Sequence, residues 1–310
     1  MQPQCNLIVD SCCDLPREVV VREGVELVEF TYITSDGAHQ DDLYQSTTAH
    51  AFFQGMRGGE EPSTSQLTIP VLQETFQRAI DSGVPTVFLC FSSALSGSYD
   101  VAVMVRDQLV EQNPGAELYV VDTKLASVAE ALLVYEAIRQ RDAGMTAKEM
   151  VAWAEEARYF VNALFMVEDL EALRRGGRIP ASVAYAGGKL DVKPLLNIDM
   201  DGKLALAGVA RGRKKGIKQL ADYYAKNRAE KQPVPHVVIG DADCPKDVER
   251  LKELVTKDVE SVLFLESSIG PVIGSHVGQG MIAVVFWGSD RREGLSVADR
   301  IARRVRGESA

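Results

Sequence analysis

The sequence is short of several features that would declare a function at once. It holds only five cysteines in 310 residues, Cys5, Cys12, Cys13, Cys90 and Cys244. Their odd number and the lack of CxxC spacing read as buried thiols, not a disulfide framework. Only Cys12 and Cys13, in a strand-to-helix turn, would be reactive if that helix end lowered their pKa. Histidine is scarcer still, at positions 39, 50, 236 and 276, with no HExxH or paired ligand spacing, so no metal site is indicated. No apolar run approaches the ~20 residues that span a bilayer, and the N-terminus lacks the basic-then-apolar order of a secretory signal. A cytoplasmic location is the expectation. Positive charge is also in deficit: the formal net charge is −10, and a chain so acidic repels a nucleic acid. Nucleotide fingerprints are missing as well, since neither GxGxxG nor GxxxxGK[ST] occurs, and GxSxG, the nucleophile elbow of α/β-hydrolases, is absent too.

What is present is ordinary globular material, 46% apolar and 25% charged. The length favours two domains, each large enough for its own core. Apolar runs alternate with helical spacing: strands at 6–9, 25–34, 84–91 and 117–122, helices at 47–56, 69–80, 97–112 and 126–143. Uniformly apolar strands separated by helices predict a doubly wound parallel sheet, buried on both faces. A helix over 146–157 follows, then a strand over 159–167 and a short helix over 168–175 that Gly176-Gly177 stops. Runs at 192–198 and 204–209 flank Asp201-Gly202, a hairpin signal, so the second half is expected to be an α/β domain with a mixed sheet. Its remaining elements are helices over 213–229 and 246–257, strands over 235–241, 261–266 and 281–287, and a final amphipathic helix through Ala298, Ile301 and Val305. The expected division is 1–158, a parallel-sheet domain, and 159–310, a mixed-sheet domain that holds the stretch around His276.

The segment Val84–Tyr99, VPTVFLCFSSALSGSY, is the most informative stretch. Ser92, Ser93, Ser96 and Ser98 lie where a strand gives way to a helix, and open α/β sheets bind ligands at that end. Some of these serines would serve only as caps, yet four exceed what one helix start uses. Pro62-Ser63-Thr64-Ser65-Gln66 is a second hydroxyl cluster, in a polar loop before a helix, and in isolation it reads as an N-cap. Asp10-Ser11 reads in the same way. His276 sits in the glycine-rich stretch Gly270–Gly280, read as a loop that admits close backbone approach. Two basic clusters, Arg174-Arg175 with Arg178 and Arg211 through Lys215, are either solvated helix ends or patches for an anionic headgroup or acidic partner. Hydroxyls near a histidine leave two chemistries open: a site that holds an anion, or a serine hydrolase acting on acyl esters. A ligand-free interaction module is a third reading, with no positive feature behind it.

Taken in order, Asp10-Ser11 with Asp14-Leu15-Pro16, Thr64-Ser65-Gln66, Ser92-Ser93-Ala94-Leu95-Ser96-Gly97-Ser98-Tyr99, Gly176-Gly177-Arg178-Ile179, Lys193-Pro194, Asp201-Gly202-Lys203 and Gly274-Ser275-His276-Val277-Gly278 resemble the DegV family. The resemblance covers almost the whole chain. It implies a bacterial fatty-acid-binding protein that is not an enzyme, carries no cofactor, and presents its lipid to a separate fatty acid kinase. It further implies a carboxylate held at an interdomain cleft by Thr64, Ser65, Ser92, Ser93, Ser96 and His276, with Gly97 and Gly278 beside them. Arg175, Arg178 and Arg211 are then expected to meet a partner or a phosphate, and the ligand to be a long-chain acid such as palmitate, stearate or oleate. A monomer is expected. The chain departs from the family pattern at Cys12-Cys13, at Leu67-Thr68 after TSQ, and at Ser98 in place of threonine. Leu67 is expected to reshape the entrance.

Overall fold

The computed structural model describes residues 2–180, 191–229, 236–257 and 261–294. Strand β1 (Asn6–Asp10) lies centrally in a four-stranded parallel sheet, between β2 (Val25–Val28) and β6 (Thr86–Cys90), with β7 (Leu118–Asp122) beyond β6. Every residue of β6 is buried, as the apolar run requires. The helices over Ile69–Asp81 (α3), Ser98–Gln112 (α4), Val128–Asp142 (α5) and Ala147–Ala157 (α6) alternate with these strands, after the short α1 (Arg17–Val20) and α2 (Ala49–Arg57). Thr146 and Glu149 close a complete capping box on α6.

A six-stranded mixed sheet forms the second half, in the order β10 (Leu204–Arg211), β9 (Val192–Ile198), β8 (Val161–Met166), β13 (Ile282–Trp287), β11 (His236–Asp241), β12 (Leu263–Ser268). Among the described residues of this sheet only β11 and β12 pair in parallel. The β9–β10 hairpin is antiparallel, as Asp201-Gly202 predicts. Helices α7 (Glu171–Arg175), α8 (Arg213–Asn227), α9 (Pro245–Thr256) and α10 (Pro271–Val277) complete the described elements.

Helix α5 links the two halves. Ten of its residues are buried, including Glu130 and Arg141, because it packs against β1 on one side and β8, β11 and β13 on the other. From Val128 to Ile138 the helix is apolar except at Glu130, Tyr135 and Glu136, and the same apolar core runs from β1 and β6 through α5 to Val161, Ala163, Phe165, Ala283 and Val285.

Four expectations change. The run 25–34 is not one strand: it bends after Val28, and β3 (Thr31–Thr34) joins β4 (Gly37–Gln40) and β5 (Ser63–Ser65) in a small antiparallel sheet. The 58–65 loop therefore contains a strand, whose Ser65, Thr64 and Ser63 pair with Thr31, Tyr32 and Ile33. The stretch around His276 is helix, not loop: Pro271 fills the first helical position, and Gly278 at φ +75° ends it. The short helix before Gly176 begins at Glu171, after Asp169 accepts from the Glu171 N–H. The expected helix through Ala298, Ile301 and Val305 lies outside the described residues.

Candidate functional site

Strand β5, the loop before α4, the start of α5, helix α10 and the inner face of the mixed sheet line one cavity. Its walls are mostly apolar, among them Phe30, Phe91, Ala129, Phe165, Ile273 and Val285. Alternation on the pleat aims Ala163 and Phe165 of β8, with Ala283 and Val285 of β13, at this interior; Ile282, Val284 and Phe286 pack away from it against α8 and α9. Polar groups gather at one end.

There Thr64 Oγ1 lies 2.8 Å from His276 Nε2. Strand β5 supplies the threonine and the last turn of α10 supplies the imidazole, so the small sheet missed in the sequence is what brings TSQ to the histidine. The other ring nitrogen, Nδ1, is buried without a hydrogen-bond partner among the described residues. It packs on Gly176: a Cβ there would collide with Nδ1 and lie 2.8 Å from Cε1. Burial, and then the charges of Arg178 and Arg175, push the His276 pKa down to about 4, so the ring is neutral at pH 7.

Ser65, Gln66, Ser96 and Arg178 line the same end. Ser96 Oγ lies 2.9 Å from Ser98 Oγ, which itself accepts from the Leu67 N–H at 3.0 Å. Leu67 is buried and is not a cavity residue, so it does not reshape the entrance; the two departures at Leu67 and Ser98 instead meet each other. A Cβ on Gly97 would displace the Gln66 amide, and Gly97 precedes the first turn of α4 without lining the cavity. Arg178 donates from Nε to the Leu95 carbonyl at 3.1 Å and from Nη1 to the Gly176 carbonyl at 2.6 Å. Those bonds orient its guanidinium at the cavity wall, where burial lowers its pKa without neutralising an arginine.

Other expected residues lie elsewhere. Ser92 is fully buried and donates to the Gly202 carbonyl at 2.9 Å, latching the β9–β10 turn onto the first half. Ser93 donates to Asp122 Oδ2 at 2.6 Å and, like Ser92, does not line the cavity, because the turn directs both hydroxyls outward from it. Gly278 caps α10 and borders a separate acidic surface groove. Arg175 pairs with Glu61 at 3.0 Å, and Arg211 is exposed at the end of β10. Of the second basic cluster, Arg213 is tied to Glu168, Asp247 and the Gly280 carbonyl.

Asp14 ties the first half of the chain to the segment that leads into α10. Its carboxylate accepts from Ser127 Oγ at 2.5 Å and from the Gly270 N–H at 2.9 Å, and its carbonyl accepts from Ser267 Oγ. Tyr44 adds a bond to the Ile269 carbonyl at 2.5 Å. These contacts fix the approach to α10, and so the position of His276. Ser127 itself lines the cavity at φ +56°, a placement with no signal in the sequence. Cys12 also lines the cavity, but burial and the nearby Asp10 raise its thiol pKa well above normal, as burial and Glu130 do for Cys13. Neither is the activated thiol that a helix end would produce. Among the described residues no group of three His, Cys, Asp or Glu side chains could hold a metal ion, and no described helix is long and apolar enough to cross a membrane.

The DegV family model, described as uncharacterised protein, matches residues 4–288. The chain belongs to the DegV family. A DegV domain-containing protein of Clostridium perfringens is 33% identical over 285 residues, 92% of this chain and 98% of that one. Among solved structures, a DegV family protein from Thermus thermophilus, described by its fatty acid binding, superposes with a TM-score of 0.80 at 28% identity, covering 92% of this chain and all of that one. The Streptococcus pneumoniae fatty acid kinase (Fak) B3 protein, loaded with linoleic acid, gives 0.79 at 19% identity over 93% of this chain and all of that one, and so shares the DegV fold.

Proposed function

We propose that this DegV-family chain is a non-catalytic carrier that buries the tail of one long-chain fatty acid and holds its carboxylate between Thr64, Ser65, Ser96, His276 and Arg178. One observation carries this reading: a mostly apolar cavity ends in a cluster of donors built from both halves of the chain. The division near residue 158 then separates the half that brings the hydroxyls from the half that brings His276 and Arg178. Burying a sixteen-carbon tail contributes on the order of 11 kcal/mol gross, at ~0.8 kcal/mol per methylene. Hydrogen bonds to a charged group contribute about 1.5–3 kcal/mol each and largely offset desolvation of the carboxylate. The tail thus supplies affinity, and the polar end supplies orientation and selectivity.

The imidazole geometry supports a carrier over the hydrolase alternative. A catalytic histidine needs its second nitrogen oriented by an acid, whereas His276 Nδ1 rests on Gly176. A neutral ring and hydroxyls hold a carboxylate without competing for its reaction. That suits presentation to a separate kinase for acyl-phosphate formation, a role that rests on the family resemblance. Competition against a fluorescent long-chain fatty acid tests the assignment. Palmitate should displace the probe at least tenfold more effectively than methyl palmitate; equal displacement by the ester would remove the carboxylate from the account.

A further inference from the structure

Along helix α5 and strands β8 and β13 the residues that line the cavity give way to fully buried ones, and a surface groove lies on their far side. On helix α5 the cavity wall includes Val128 and Ala129. One turn further, Leu132 and Leu133 are fully buried in the core. Another turn on, Glu136 and Arg139 line a different groove, open at the surface, together with Trp153, Phe160 and Trp287. Positions 129, 132, 136 and 139 advance by three or four residues, and 133 lies four after 129, so they lie along one face of the helix.

The sheet repeats this sequence of layers. Ala283 pairs with Phe165, then Val285 with Ala163, and these four line the cavity. The next pair on the same face, Trp287 and Val161, does not: Val161 is fully buried and Trp287 borders the groove beyond. Two contacts fix the relative depth of helix and sheet. Val128 packs on Gly240, which pairs with Ala283, while the Tyr135 ring meets the His236 ring at 5.8 Å, one residue before the Val237–Phe286 pair. Leu132 and Leu133, midway between Val128 and Tyr135, therefore come level with the end of the cavity. Trp287 is braced from outside by Trp153, ring centroids 6.3 Å apart at 61°.

Resting on the reading of the cavity as an acyl site, we propose that Trp287 and Val161, with Leu132 and Leu133 facing them, form the floor that sets the longest chain this protein accepts. The groove lined by Trp153 lies directly beyond it. The tail enters at the Thr64–His276 end and its terminal methyl meets this floor. Each added methylene strengthens binding about fourfold, at ~0.8 kcal/mol apiece, until the methyl reaches the floor. Past that length affinity falls, because overpacking a filled core costs more than one methylene returns.

Dissociation constants for the even-numbered saturated acids from twelve to twenty-four carbons, measured on the native protein and on Trp287→Ala and Leu132→Ala, test the proposal. The native protein should show a break in the series, and Trp287→Ala should move it at least two carbons longer. Leu132→Ala, which thins the floor from the helix side, should move it in the same direction and decides the matter if Trp287→Ala does not fold. Palmitate binding with no break, or with a break that neither variant moves, would overturn the floor while leaving the carrier reading intact. If no acid binds the native protein, the carrier reading falls instead.

Discussion

Gly176→Ala isolates the contact on which the polar end depends. The backbone gives no reason for glycine there: φ is −72° and ψ −9°, helical values that alanine adopts readily. The reason is the imidazole, since a methyl at this position overlaps His276 Nδ1 and crowds Cε1. The ring must turn away, and turning breaks the 2.8 Å contact with Thr64 and withdraws the ring nitrogen from a bound carboxylate. A hydrogen bond to a charged group contributes about 1.5–3 kcal/mol, so fatty acid affinity should fall roughly 10- to 100-fold. Calorimetric titration with palmitate and with hexadecanol reads this directly. The loss should be confined to palmitate, because the alcohol relies on the tail. Unchanged palmitate affinity, or an equal loss for the alcohol, would refute the argument that His276 acts on the carboxylate and that Gly176 exists to seat it.

Three further predictions follow from the same geometry. Ser96→Ala should weaken palmitate about tenfold, whereas Ser93→Ala should leave it within about twofold in the same titration, because Ser93 is committed to Asp122 outside the cavity. Burial raises the carboxyls of Asp10 and Asp41 to about 7, above their value in the unfolded chain. The folded state therefore binds more protons between pH about 4 and about 7, and these two groups make stability decline as pH rises through that window. Urea midpoints of Asp41→Asn should show a weaker decline than those of the native protein. All five cysteines are free, and the thiol pKa is raised at each, so a thiol reagent at pH 8 should titrate none rapidly until the protein is unfolded.

The parallel sheet was legible because its strands are buried on both faces and so read as unbroken apolar runs, as Thr86–Cys90 does. The hairpin at Asp201-Gly202 was legible from turn chemistry. The small antiparallel sheet was not, since Ser63-Thr64-Ser65 has the composition of a loop and is a strand only because Thr31–Ile33 pairs with it. Helix α10 was masked by its glycines. Position 274 lies in the helix and is glycine because a Cβ there would crowd the rings of Phe52 and Phe53, a tertiary contact that the local pattern does not record. Within the site, residue type marked Thr64, Ser96 and His276, but not the direction of a hydroxyl. Ser92 and Ser93 share the motif of Ser96, and the turn points them to Gly202 and Asp122. Ser127 and Leu95 reach the cavity wall through tertiary placement alone.

Native mass spectrometry of the protein purified without added lipid tests the central claim most directly. A carrier with this cavity should arrive with an excess mass equal to one long-chain fatty acid, and Gly176→Ala should lose that mass at lower collision energy. A protein that arrives empty and gains no mass when incubated with palmitate would contradict the account.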